Sequence, residues 1–164
     1  MSDVPAPDGQ RLTHVDDAGA ARMVDVSAKP VTAREATATG RVLVSPEVVR
    51  LLRGEGVPKG DALAVARLAG IQAAKRTPEL VPLAHPVAVH GVRVELDVTD
   101  DGVDIRATVR TADRTGVEME ALTCVVVAGL ALVDMVKAVD RTAEITAVRV
   151  VAKSGGRSGD WRRD

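Results

Sequence analysis

The sequence predicts an α+β domain of the ferredoxin-like kind, a βαββαβ chain with its helices on one face of an antiparallel sheet. Three observations predict it. Residues 92–98 and 103–109 alternate apolar with charged or polar side chains on either side of Asp101-Gly102, the pattern of a hairpin with one wet face. Between Ala121 and Val133 only Thr123 is polar, a run too long for a strand and too short for a bilayer, and therefore a buried helix. Apolar, β-branched segments at 38–45 (ATGRVLVS) and 144–152 (EITAVRVVA) supply a strand at each end of this order.

Taken along the chain, residues 1–12 carry Pro5, Pro7 and Gly9 and little to bury, so they read as a disordered tail before a single domain over 13–164. From Thr13 to Ala36 short apolar pieces are broken by Gly19 and Pro30, and extended or irregular chain is expected. After the first strand, Ser45-Pro46-Glu47 combines an N-cap, a first-turn proline and an acid favourable to the helix dipole. That helix should reach about Arg53, where Gly54 and Gly56 stop it. A second helix starts at Asp61 as N-cap, carries Leu63, Ala66, Leu68, Ala69 and Ile71 as its apolar positions, and ends near Lys75-Arg76 before Pro78. Two prolines keep VPLAHP, residues 81–86, extended or turn-like. The hairpin, the long apolar helix, the last strand and a glycine-rich tail, KSGGRSGD, follow.

Composition excludes several functions. A chain of 164 residues that is 46% hydrophobic can bury one substantial core, yet it has no Phe, no Tyr and only Trp161, so no base-stacking platform exists. Its 22 basic and 23 acidic residues leave no excess positive charge for nucleic acid. The lone Cys124 lies in the apolar run and reads as a small core residue, which suits a reducing compartment. The first residues hold no apolar stretch and no basic leader, and the expectation is a soluble, cytoplasmic protein with no membrane contact.

The residues able to do chemistry collect in a few places. Glu118 and Glu120 stand at one end of the apolar run, and Asp134 and Lys137, three apart and on one helical face, at the other. Mutual neutralisation at the end of a core helix accounts for the second pair when it is taken alone. In KSGGRSGD, amides freed by glycine could cradle a phosphate beside Lys153 and Arg157, although the same composition suits a flexible terminus. Neither GxxxxGK[ST] nor GxGxxG occurs. His14, His85 and His90 have no metal-ligand spacing, so no metal site is expected. His85 sits in the nonrepetitive segment between Pro82 and Pro86, where binding residues often lie. Singly, Lys59, Lys75 and Arg76 read as solvated surface cations.

The motifs MVDVSAK (23–29), KGDALAVARLAGIQAAKRT (59–77), PLAHP (82–86), TGVEMEALT (115–123), DMVKAVD (134–140) and KSGGRSGD (153–160) together closely resemble the cyclic pyranopterin monophosphate synthase family of molybdenum cofactor biosynthesis. The resemblance spans nearly the whole chain after the tail. It implies a lyase that rearranges a 3′,8-cyclised dihydroguanosine triphosphate to cyclic pyranopterin monophosphate with release of diphosphate. A homohexamer of ferredoxin-like subunits, built as a trimer of dimers with the active site at the dimer interface, is implied as well, with no cofactor. By the same resemblance Asp134, Lys59, Lys137 and Lys153 take catalytic positions. Leu83, Ala84, His85, Glu118, Met119 and Glu120 fall in substrate-contacting segments, with Lys75 in reserve. Ala84 stands where the family commonly has Cys, so a thiol there is not needed for the chemistry.

The residue types suit that reaction. A triphosphate needs convergent cations, and clustered ammonium groups lower one another's pKa, so that one can act as base and a neighbour as acid. Leu83 and Met119 would wall a flat ring, whose edge Glu120 and His85 would bond. A noncatalytic ferredoxin-like regulatory domain would explain the fold but not the lysines. A metal-dependent nucleotide pyrophosphatase would need more carboxylates than Glu118, Glu120 and Asp134.

Overall fold

The computed structural model describes residues 12–55, 61–157 and 159–164. The expected N-terminal tail up to residue 11 and the candidate Lys59 lie outside them. The elements, in order, are β1 (Thr32–Leu43), α1 (Pro46–Arg50) running into a π-helical turn at Leu51–Glu55, α2 (Ala62–Ala74), α3 (Thr77–Leu80), β2 (Val89–Val98), β3 (Gly102–Asp113), α4 (Glu118–Val136), β4 (Glu144–Ser154) and β5 (Trp161–Arg162). All strand pairs are antiparallel, in the order β2-β3-β1-β4-β5, so the first four strands reproduce the expected ferredoxin-like plan.

Local signals act where the sequence places them. The Ser45 hydroxyl accepts from the Val48 amide at 3.4 Å, and the Asp61 carboxylate caps α2 through the Ala64 amide at 2.9 Å. In the hairpin, the Thr99 amide donates to the Gly102 carbonyl at 2.8 Å and Val98 faces Val103. Val94, Leu96, Val103, Ile105, Ala107 and Val109 turn inward, and the charged positions between them turn outward.

The helices pack on the inner face. Along α4 the buried apolar side chains are Ala121, Cys124, Val125, Ala128, Leu132, Met135 and Val136, a stripe at three- and four-residue spacing that rests on the sheet and on α2. Burial drives the Cys124 thiol up to about 12, so it stays an inert core group. The stripe α2 turns inward is small throughout: Ala62, Ala66, Gly70, Ala73 and Ala74. Small residues let the two helices approach so closely that a Cβ at Gly70 would stand 2.9 Å from the Cys124 carbonyl oxygen. Without aromatic rings to fill a wider gap, close approach is how this core reaches its density.

Four features differ from the sequence reading. β1 begins at Thr32 rather than near Ala38, because its pairing with β3 runs unbroken from Thr32 opposite Asp113 to Leu43 opposite Gly102. Backbone pairing, not an apolar pattern, keeps Ala33, Arg34 and Glu35 in the strand. Leu68 is 62% exposed, since the close crossing at Gly70 rotates the small stripe inward and the larger residues out. The single turn α3 was not foreseen; Thr77 begins it, buried, with its hydroxyl 3.2 Å from the Ala74 carbonyl. β5 adds a short edge strand after the glycine-rich turn, with Trp161 paired to Lys153.

Asp140 ties the turn after α4 to the start of α1. Its carboxylate accepts from the Ser45 amide at 2.7 Å, the Thr142 amide at 2.8 Å and the Thr142 hydroxyl at 2.7 Å. These bonds, the Thr142 hydroxyl first, hold its pKa below the ordinary aspartate value against the opposing effect of burial.

Candidate active site

The first turn of α4 is the floor of the candidate site. No side chain caps this helix, and Glu118 and Glu120 place acids at its positive end. The two carboxyls have different surroundings. Glu118 receives the Lys153 ammonium, Nζ to Oε1 3.1 Å, which joins the end of β4 to the start of α4. Glu120 is 3% exposed, and burial, reinforced by the neighbouring Glu118 charge, pushes its pKa up while its own backbone amide partly offsets the rise. One carboxylate is thus paired with a cation, while its buried neighbour has its pKa pushed upward.

A cleft of about 450 Å³ lies over this turn, lined among others by Val24, Leu83, Ala84, His85, Met119 and Glu120. His85 lies 2.6 Å, through Nε2, from the Val24 carbonyl oxygen. A carbonyl can only accept, so Nε2 is the donor and, in the neutral ring, Nδ1 is the nitrogen left to accept. The bond also draws the segment around Val24–Val26 against the wall formed by Leu83 and Ala84. Nearby, the Ser27 amide donates to Asp25 at 2.8 Å, and bonds from Ser27 are the chief cause of a lowered Asp25 pKa.

A smaller cleft of about 120 Å³ adjoins the first and shares Lys29, Thr115, Gly116 and Glu118 with it. Its own walls bring together Arg34, Arg114 and Lys153 beside Glu35. Backbone carbonyls steer two of the guanidinium groups: Arg34 Nε donates to Asp113 at 2.9 Å and Arg114 Nε to Lys29 at 2.9 Å. The turn after Lys153 requires glycine at residue 155, where φ is +81° and a Cβ would lie 2.1 Å from the Ala33 carbonyl oxygen. That close approach brings the end of β4, with Lys153, onto β1 beside Arg34.

Leu83, Ala84, His85, Glu118, Met119 and Glu120 line one cleft, and Lys153 reaches it from the adjoining one through Glu118. Asp134 and Lys137 do not. They form an ion pair of 2.5 Å at the opposite end of α4, both more than half exposed. Lys75 caps the C-terminus of α2 and lines neither cleft. Lys29, Arg34 and Arg114 were not assigned roles from sequence, and neither was His14, which lines the larger cleft. Lys29 does close the motif MVDVSAK, but Arg34 and Arg114 carry no local signal; the pairing of β1 with β3 is what brings them together.

The sequence matches the profile of the MoaC family over residues 23–156. Three relatives bear the name cyclic pyranopterin monophosphate synthase. The protein of Streptomyces avermitilis is 69% identical over 98% of this chain and 95% of its own length, and that of Streptomyces griseus 72% identical over 93% and 86%. The protein of a Roseiflexus species is 57% identical over 93% of this chain and 98% of its own length. With one family profile spanning most of the chain, and with identities this high at nearly full length, the chain belongs to the MoaC family.

Proposed function

We infer that this chain is a lyase of molybdenum cofactor biosynthesis, converting (8S)-3′,8-cyclo-7,8-dihydroguanosine 5′-triphosphate to cyclic pyranopterin monophosphate and diphosphate. One observation carries the reading beyond the family: an apolar cleft edged by a carboxyl and an imidazole opens directly into a smaller cleft walled by Lys29, Arg34, Arg114 and Lys153. The first suits a flat, hydrogen-bonding ring. The second suits a polyphosphate, and cations there would stabilise the charge that grows on departing diphosphate.

Lys153 has a double part in this reading. Its ammonium neutralises Glu118 in the free protein and can turn to phosphate oxygens when substrate arrives, leaving Glu118 to Lys29 or to solvent. Glu120, kept toward its protonated form, is suited to donate to a ring carbonyl. Asp134, Lys137 and Lys59 complete the catalytic set. Because Asp134 and Lys137 lie a helix length away from Glu120, we assign them to the pocket of a neighbouring subunit, in a homohexamer arranged as a trimer of dimers. Exposed apolar residues on the outer faces of α2 and α4, Val65, Leu68, Val126 and Leu130, favour association between copies. The setting is the cytoplasm, where nucleotide substrates are held.

Incubation of the purified protein with the cyclised triphosphate, read by diphosphate release and by a product that oxidises to a fluorescent pterin, tests the assignment. Binding without release of diphosphate would indicate a regulatory ligand domain and refute it.

A further inference from the structure

We propose that His14 is a substrate-positioning residue, whose free ring nitrogen accepts a hydrogen bond from an N–H group on the guanine-derived edge of the substrate. The assignment rests on the function inferred above and extends it to a residue upstream of 23–156, the stretch matched by the family profile. That residue also lies at the start of 13–36, the stretch in which the sequence showed no periodicity.

His14 is held in place by a closed loop. Val15 bridges Ala21, the Arg22 amide donates to the His14 carbonyl at 2.9 Å, and the Asp16 carboxylate caps the turn by accepting from the Ala18 and Ala20 amides at 2.9 and 2.8 Å. Backbone donors therefore close a loop that buries almost nothing, and its position beside the cleft is the feature needing explanation.

The ring chemistry supplies it. His14 Nδ1 lies 3.4 Å from the Arg22 carbonyl oxygen, which can only accept, so Nδ1 is the donor and, in the neutral ring, Nε2 is the nitrogen left to accept. His85 is arranged in the same way two residues further along, with Nε2–H on the Val24 carbonyl and Nδ1 as acceptor. One short stretch of backbone thus fixes both imidazoles with an acceptor left over. Both line the larger cleft and neither lines the basic one, so they belong with the ring and not with the phosphates.

The pattern matches the edge of guanine. That edge presents one carbonyl acceptor and two kinds of donor, the ring N–H and the exocyclic amine. Against it the cleft sets a buried carboxyl, Glu120, suited to donate, and two imidazole acceptors. A base lacking the exocyclic amine would leave one acceptor unmatched, and such mismatches carry discrimination.

The test compares the wild-type protein with His14→Ala and His14→Gln, whose amide oxygen can accept in place of the ring nitrogen. Turnover is measured on the cyclised triphosphate, and equilibrium binding on GTP, which shares the edge, and on inorganic tripolyphosphate, which has none. For His14→Ala, KM should rise up to about tenfold, the worth of one neutral hydrogen bond, with kcat nearly unchanged and an unaltered thermal midpoint. Affinity for GTP should weaken by a similar factor, affinity for tripolyphosphate should hold, and His14→Gln should recover most of the loss. An unchanged KM in an active enzyme overturns the proposal, as does equal weakening of tripolyphosphate, which would make His14 a phosphate ligand. A wild-type protein without turnover would instead overturn the function inferred above and this proposal with it.

Discussion

Glu120 and Asp134 lie on one straight helix, fourteen residues apart within α4. At about 1.5 Å per residue their Cα atoms are separated by about 21 Å along the axis. Side chains at both ends would have to lean far inward to touch one bicyclic ring, and Asp134 is instead bonded to Lys137 at 2.5 Å. If both residues serve one pocket, they come from different chains, and a two-fold dimer carries two such pockets. Co-expression of Glu120→Ala with Asp134→Ala exposes this arrangement. Each single variant should be nearly inactive, since all of its pockets carry one lesion. In a mixed dimer one pocket collects both lesions and the other collects none. Random pairing places about half of the chains in mixed dimers, so about a quarter of the wild-type activity per chain should return. Native mass spectrometry establishes the fraction of mixed dimers, and diphosphate release gives the activity. A co-expressed preparation that contains mixed dimers and is no more active than the separate variants would refute the shared pocket.

Other expectations bear on chemistry and stability. Lys137→Ala and Lys59→Ala should each abolish turnover with little change in the far-ultraviolet circular dichroism, because Lys137 is exposed at the end of α4 and its loss opens no cavity; activity near wild type would remove the lysine concerned from the mechanism. Gly70→Val should cost about 1–3 kcal/mol by overpacking against the Cys124 carbonyl, lowering the thermal midpoint by several degrees, whereas Gly54→Ala, where a Cβ meets nothing within 4 Å, should not. Equal effects at the two glycines would show that the α2–α4 crossing can relax. The lowered pKa of Asp140 means that its charged form is bound more favourably in the folded chain, so its contribution is present above the unfolded value near 4 and is lost as pH falls through the folded value. Urea midpoints of wild type and Asp140→Asn should therefore differ at pH 6 and converge toward pH 3, and a gap independent of pH would contradict the assignment.

Several of these features were legible in the sequence because they depend on neighbours along the chain. The hairpin about Asp101-Gly102, the caps at Ser45 and Asp61 and the apolar body of α4 follow from spacing alone, since a period of two or 3.6 and a capping side chain act within a few residues. The residues Leu83 to His85 and Glu118 to Glu120 were also identifiable, because each set sits in a compact motif. By itself, then, the sequence determined the α+β class, the order of the four main strands and of the long helices between them, the family and the identity of the groups flanking α4. Tertiary structure decided which of those groups meet. Lys153 reaches Glu118, and Arg34 stands beside Arg114, only because β1 pairs with β3 on one side and β4 on the other. Asp134 and Glu120 are kept apart for an equally simple reason, the rigidity of a helix that has no break between them. The loop carrying His14 gave no periodic signal, since it is held by backbone bonds and one capping aspartate, and those forces leave no pattern of apolar residues to read.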